Sequence, residues 1–395
     1  MKPVELKNNI YCVGAVDYNV RDFHGFVTPR GTTYNAYLIV DKKIALVDTV
    51  KKDFAKDLLD HCREVVDPAK IDYLIVNHVE TDHSGAVTDI LDVAKAARII
   101  CSQKGKEGLL KHYQIKDREF QVVKCGDELP LGARILKFIT APMIHWPDSM
   151  FTYIEEDRIL LPNDAFGQHM AHPLRFADEI GEDDCVEEAA KYYANILMPL
   201  GGVISQKIEE IKKSGIAIDM IAPSHGAIWR KNINRIITAY LDWTAFKARE
   251  KAVIMYDTMW GSTDILARRL AELLALENIE VKIYNISKSE NSRIIRDILD
   301  AKVLIVGSPT LNNDLFWPVG ALLTFLRGLK PKNKKVGIFG SYGWSEGASK
   351  QIRREVEGMG LGLIEPFFEV QYVPNEEDLS KLEDYAKVVV QAVKE

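Results

Sequence analysis

The stretch Ile71-Asp72-Tyr73-Leu74-Ile75-Val76-Asn77-His78-Val79-Glu80-Thr81-Asp82-His83-Ser84 sets an apolar run of strand length directly against a dense polar cluster. The run reads as a buried strand, and the cluster as the loop at its carboxyl end. His78, Glu80, Asp82 and His83 place two imidazoles and two carboxylates within six residues. That is a metal-ligand pattern at the mouth of a strand, where open α/β sheets build their sites.

The chain on either side mixes strands and helices. Upstream, Thr33 to Val40, the polar turn Asp41-Lys42-Lys43 and Ile44 to Asp48 read as a hairpin, followed by an amphipathic helix from Phe54 to Val65. Downstream come a helix from Val87 to Ala97 and short strands at 98–100, 120–123, 135–139 and 150–153. Residues 185–215 read as helical, Ala217 to Ala222 as a strand, and Asn232 to Glu250 as a helix. Beyond Glu250 the pattern becomes regular alternation: apolar strands at 252–256, 281–284, 303–306 and 336–339, with helical segments between. This predicts a doubly wound parallel sheet over residues 251–395, after a first domain over 1–250.

Three further ligand types follow apolar runs where loops begin: His145 after Phe138 to Pro142, Asp164 after Ile159 to Pro162, and His225 after Ile218 to Ala222. A set of His, Glu and Asp without cysteine suits iron or manganese better than a thiolate or all-histidine zinc site. If His78, Glu80 and His145 hold one metal and Asp82, His83 and His225 another, Asp164 is the carboxylate left to bridge them. His24, His169 and His172 read as supporting or structural residues, Asp48 as a weaker supporting candidate, and His61 and His112 as surface residues of helices.

In the second domain the first strand runs into Thr258-Met259-Trp260-Gly261-Ser262-Thr263 and then a helix. Free amides and hydroxyls at a helix start favour an anion. The loop has no Lys or Arg and matches neither Gly-x-x-x-x-Gly-Lys nor Gly-x-Gly-x-x-Gly, so a small monophosphate ligand remains. Two more strand ends carry Ser308-Pro309-Thr310-Leu311-Asn312-Asn313 and Gly340-Ser341-Tyr342-Gly343-Trp344-Ser345, loops suited to flank a planar ring. Trp344 is the better ring contact, while Trp260 and Trp317 read equally well as packing residues.

Composition excludes several classes. The 395 residues are 47% apolar and 27% charged, an ordinary globular balance. Lys+Arg 51 against Asp+Glu 57 gives a net charge of -6, so nucleic acid is not an expected partner. The five cysteines are scattered and never spaced C-x-x-C, which fits a reducing, cytoplasmic setting. The N-terminus lacks a signal-peptide core, and no apolar run approaches the roughly 18 residues of a membrane span.

The spacing His-x-Glu-x-Asp-His, with the later His145, Asp164 and His225, resembles the metallo-β-lactamase-like αββα domain of the flavodiiron proteins. Hydrolases of that wider fold typically show His-x-His-x-Asp-His, and Glu80 stands at the second histidine. The likeness continues through Gly31 to Tyr37, His145 to Met150 and Asn163 to Gly167, and covers essentially the whole chain. It implies a diiron centre with His78, Glu80 and His145 on one iron, Asp82, His83 and His225 on the other, and Asp164 shared. Thr258 to Thr263 resembles the phosphate loop of flavodoxins, which implies FMN held by residues 258–263, 309–313 and 341–344. The resemblance also implies reduction of dioxygen to water and/or nitric oxide to nitrous oxide, with electrons passing through FMN from a rubredoxin-like donor. No catalytic residue beyond the metal ligands is expected. A head-to-tail homodimer, able to pair into a tetramer, is implied as well. Since the sequence stops at Glu395, just after the flavodoxin-like part, no fused electron-transfer module is expected. The readings weighed against this one are a zinc hydrolase fused to a flavin domain and a pure electron carrier whose first domain only docks partners.

Overall fold

In the computed structural model, which describes residues 2–395, the chain divides into two compact units. The first comprises 1–192 with 200–241, the second 193–199 with 242–395. The division thus falls before residue 250. The helix expected to reach Glu250 spans Ile233–Thr244, and Arg249 already opens the next strand, Arg249–Tyr256. Residues 249–250 are charged yet pair with the sheet, because Arg249 aligns with Ala301 and binds Asp300 and Glu280.

The first unit stacks two sheets. One has seven strands in the order Val4–Lys7, Ile10–Cys12, Tyr37–Val40, Ile44–Val47, Tyr73–Val76, Arg98–Cys101 and Phe120–Val122. The other has five, in the order Glu128–Pro130, Ile135–Thr140, Met150–Ile154, Ile159–Leu161 and Met220–Ile221. Side-chain alternation explains the layering. Leu38, Leu46, Leu74, Val76 and Ile99 face a core shared with the helices Ala55–Val65, Val87–Val93 and Gln103–His112. Their neighbours Tyr37, Ile39, Ala45, Val47, Ile75 and Ile100 point the other way, onto Leu136, Phe138, Met150, Ile154 and Leu161 of the second sheet. Both faces of the central strands are buried, which is why they read as continuous apolar runs rather than alternating ones.

Two readings change here. The run expected as one strand from Thr33 to Val40 breaks into Thr32–Tyr34 and Tyr37–Val40. At the break the Asn35 amide nitrogen donates to Pro223 and Gly226 carbonyls (2.9 and 3.1 Å), so the interruption anchors the loop that carries His225. His61 lies in a helix as expected but is buried, with Nδ1 3.0 Å from the Val13 carbonyl oxygen, whereas His112 is exposed.

The second unit is a parallel sheet in the order Glu280–Asn285, Arg249–Tyr256, Ala301–Leu311, Lys335–Tyr342, with Gly362–Leu363 and Phe368–Gln371 both joining the last. The order 2-1-3-4-5 places the switch point at the carboxyl ends of the first, third and fourth strands. Ala252, Ile254, Val303 and Ile305 pack on Leu266, Leu270 and Leu274 of helix Ser262–Leu276 and on Leu382, Val389 and Val393 of helix Glu376–Lys394. Among the described residues no helix is long and apolar enough to cross a membrane.

Candidate metal centre and flavin cleft

All seven residues singled out in the first unit converge at one edge of its sheets. Strand Tyr73–Val76 delivers His78 and Glu80, and the short helix Thr81–Ser84 then turns Asp82 and His83 inward. His78, Glu80, His145 and Asp164 form one cluster, and Asp82, His83 and His225 a second, each with ligand atoms within 4.8 Å of one another. Asp164 faces both. Its Oδ2 lies 3.3 Å from His145 Nε2, while its Oδ1 lies 3.1 Å from His83 Nε2 and 3.5 Å from His225 Nε2.

The histidines are aimed by their other nitrogens. His78 Nδ1 lies 3.0 Å from Asp148 Oδ2, and His225 Nδ1 donates to the Thr33 carbonyl at 2.6 Å, leaving Nε2 of each ring for the centre. Asp148 is itself fixed by the Val79 amide (2.8 Å) and by the Ser102 hydroxyl donating to its carbonyl (2.7 Å). Asp48 sits behind the strand ends, where its carboxylate accepts from the Asn77 amide (2.7 Å) and the Asn163 side chain (3.2 Å). Burial pushes its pKa up to about 6 against those bonds and the nearby histidines. Outside the clusters, His24 Nε2 lies 2.5 Å from Glu80 Oε1, and the Tyr192 hydroxyl donates to Asp164 Oδ1 at 3.0 Å. His169 is buried 2.8 Å from the Thr32 hydroxyl, while His172 accepts the Leu174 amide instead. The orienting roles of Asp148 and Thr33 were not legible in the sequence, because partners 70 and 192 residues distant carry no local signal.

The electrostatics fit cations. Both Asp82 oxygens, Asp164 Oδ2 and His83 Nδ1 are buried without a hydrogen bond, an arrangement a protein tolerates where a metal completes it. Burial opposes charge at Glu80 and Asp164, yet the surrounding imidazoles outweigh it and hold both well below the usual carboxylate range. Burial likewise opposes the charged imidazoles, and the carboxylates outweigh it, pushing His78 and His145 up to about 10 and His83 up to about 9. Protons therefore occupy these rings when no metal does. Their stabilising contribution to the metal-free protein is present below the ordinary histidine pKa near 6.5 and is lost as pH rises through 9 to 10. Loading metal-free protein with ferrous ion at pH 7.5 is expected to release on the order of three protons per chain, one from each of these rings. Calorimetry in buffers of different ionisation enthalpy measures that number, and release of none would contradict the assignment.

The second unit carries a cleft of about 600 Å³ at the carboxyl ends of its strands. Thirteen of the fifteen residues picked from sequence line it: Thr258, Met259, Trp260 and Ser262, Pro309 to Asn313, and Ser341 to Trp344. Gly261 and Thr263 do not line it. Gly261 precedes the helix at φ +99°, a conformation open to glycine, and buried Thr263 bonds the Ser341 hydroxyl at 2.9 Å. Ser308 to Leu311 and Gly340 to Tyr342, read as loops, remain strand, because Ser308 pairs with Gly340 and Pro309 with Ser341. Asn312 and Asn313, both at positive φ, then turn the chain into Asp314–Leu315. Tyr372 and Val373 join the lining from the end of strand Phe368–Gln371 and were not anticipated. Their signal was two exposed apolar residues just past a strand at the same edge. Trp260, Trp317 and Trp344 are 95%, 71% and 89% exposed, which excludes a packing role for the first two.

The cleft fits a flavin phosphate. No side chain caps helix Ser262–Leu276, so its first amides are left for an anionic ligand, and the Thr258 and Ser262 hydroxyls stand beside them.

Comparison with known proteins finds relatives of both units. The family model "ODP family beta lactamase" matches residues 32–226, and the flavodoxin model matches residues 254–384. The chain is 50% identical over 383 residues to a nitric oxide reductase of Moorella thermoacetica, covering 96% of each sequence. The structure of the rubredoxin oxygen:oxidoreductase of Desulfovibrio gigas superposes with a TM-score of 0.97 at 38% identity, covering 100% of this chain and 99% of the other. The flavodiiron protein of Giardia intestinalis superposes at 0.94 with 31% identity, covering 100% and 98%. With the likeness running end to end through the lactamase-like unit and the flavodoxin unit alike, this chain belongs to the flavodiiron protein family.

Proposed function

We propose that the protein reduces dioxygen to water and nitric oxide to nitrous oxide at a diiron centre, with electrons entering through FMN from a rubredoxin-type donor. The observation that carries this reading is the pair of clusters that meet at Asp164, nitrogen and oxygen donors only, in a chain that also has a flavin cleft. In this reading His78, Glu80 and His145 would hold one iron and Asp82, His83 and His225 the other, with Asp164 available to both. The first compact unit forms the diiron domain and the second the FMN domain. The protein works in the cytoplasm as a head-to-tail homodimer, in which one protomer's flavin serves its partner's irons.

Two irons and FMN, when bound, supply the redox chemistry and between them store four electrons, enough for one dioxygen or for two pairs of nitric oxide molecules. The chain's own residues set the conditions for that chemistry. Asp148 and the Thr33 carbonyl fix the rings of His78 and His225, so each nitrogen is presented without rearrangement. His24 restrains Glu80, and Tyr192 holds a donated hydrogen bond on Asp164. Phe23 packs against His169 and His225 with ring centroids 4.4 and 5.8 Å away, which limits water beside the second cluster. The zinc hydrolase is the weaker reading, since Glu80 makes the first cluster carboxylate-rich and the full-length relatives are oxidoreductases.

Turnover with a reduced donor, run in parallel on each gas, tests the proposal. Both nitric oxide and dioxygen are expected to be consumed, in a ratio that measures preference. Hydrolase activity with neither gas consumed would overturn the reading.

A further inference from the structure

We infer that a buried water between His169, Thr28 and Glu188 is the proton entry to the metal centre, with Glu188 as the carboxylate that collects protons from solvent. The inference rests on the gas-reducing reading above. Reducing one dioxygen to two waters takes four electrons and four protons, and coupling two nitric oxide molecules to nitrous oxide and one water takes two of each. The electrons come from the protein donor, so the protons come from solvent and need an entry to the buried side of the centre.

One small cavity of about 10 Å³ lies in the wall of the first unit, bounded by Phe26, Thr28, His169, Glu188, Lys191 and Tyr192. Two of its polar atoms, Thr28 Oγ1 and His169 Nε2, are buried without a hydrogen-bond partner. A cavity of that size holds a single water, and a water needs polar partners of this kind. Its inner wall reaches the centre. The Tyr192 hydroxyl donates to Asp164, and the His169 ring lies 4.8 Å from that of His225. His169 serves as a hydrogen-bond partner of the water, not as a titrating group.

The outer wall reaches solvent. The Glu188 side chain is 14% exposed and lies 3.5 Å from Arg30, which it shares with Asp184. Burial raises its pKa, Glu187 adds to the rise, and Lys191 and Arg30 oppose it. A half-buried carboxyl of that kind gives its proton to the water, the water releases one toward the centre, where it ends in the product water, and solvent reprotonates the carboxylate. Each proton that enters is matched by one electron from the donor, so charge and atoms balance over the cycle.

Two experiments test this. A high-resolution crystal structure is expected to show a water within hydrogen-bond distance of Thr28 Oγ1 and His169 Nε2, and an empty cavity there would overturn the inference. In turnover at saturating gas, Glu188→Gln and Thr28→Val are each expected to lower kcat at least tenfold with iron content and KM for the gas unchanged. Glu188→Asp should restore part of the rate, and the solvent deuterium isotope effect should grow in Glu188→Gln. Wild-type rates in both variants would overturn the proton entry, whereas a wild-type protein that reduces neither gas would overturn the functional reading while the crystallographic water still decides the site.

Discussion

Asp164→Ala is expected to abolish reduction of both gases, by on the order of 10³-fold or more, with loss of iron and retention of FMN. Asp164 reaches both clusters, with an oxygen 3.3 Å from His145 on one side and 3.1 Å from His83 on the other. On the proposed assignment its removal would take a ligand from each metal at once and leave protonated imidazoles facing one another in a buried site, where repulsion further disfavours the arrangement. Asp148→Asn provides the comparison. It touches only the outer nitrogen of His78 and is expected to cost about 10- to 100-fold, the usual cost of losing a partner that orients a ligand. Equal effects of the two substitutions would place Asp164 among the supporting residues. Parallel loss of nitric oxide and dioxygen consumption in Asp164→Ala locates both reactions at one centre, and survival of either gas activity would refute the shared site.

Ser262→Asp is expected to empty the flavin cleft while leaving the irons in place. Ser262 is the first residue of helix Ser262–Leu276 and lines the cleft. An acidic residue in the first turn favours the helix, so the fold is retained. The same carboxylate stands where the phosphate dianion must sit, and no Lys or Arg lies in residues 258–263 to offset it. At about 5 Å and an intermediate dielectric the repulsion is about 3 kcal/mol, or on the order of 100-fold in FMN affinity. Flavin absorbance after gel filtration and iron analysis report the two sites separately. The expected result is colour lost, iron kept and donor-driven turnover gone. Wild-type flavin content would show that the phosphate lies elsewhere.

The sequence carried the parts of this architecture that have a local signature. Apolar runs of strand length, broken by helical periodicity, located four strands of the parallel sheet, three of them largely buried, and missed the short strands Gly362–Leu363 and Phe368–Gln371, which lack such a run. The cluster at 78–83 was legible because four ligand types in six residues have no ordinary packing role, and His145, Asp164 and His225 because each follows an apolar run. What escaped depends on distant partners. The strand break at Asn35 exists to hold residues 223–226, and the burial of His61 follows from carbonyl groups 47 and 48 residues upstream. Tyr372 and Val373 join the cleft only because their strand pairs beside Lys335–Tyr342. Strand continuation through Ser308 to Leu311 was hidden for the same reason, since Pro309 reads locally as a turn residue and is held in the sheet by register.

The central claim is that the seven converging side chains hold two irons in a chain that also binds FMN. Metal and flavin content per chain in the purified protein tests it most directly, with iron and zinc determined together after expression in iron-replete medium. About two irons and about one FMN per chain, with little zinc, is the predicted result. Zinc without iron under those conditions would contradict it and bring the hydrolase reading forward.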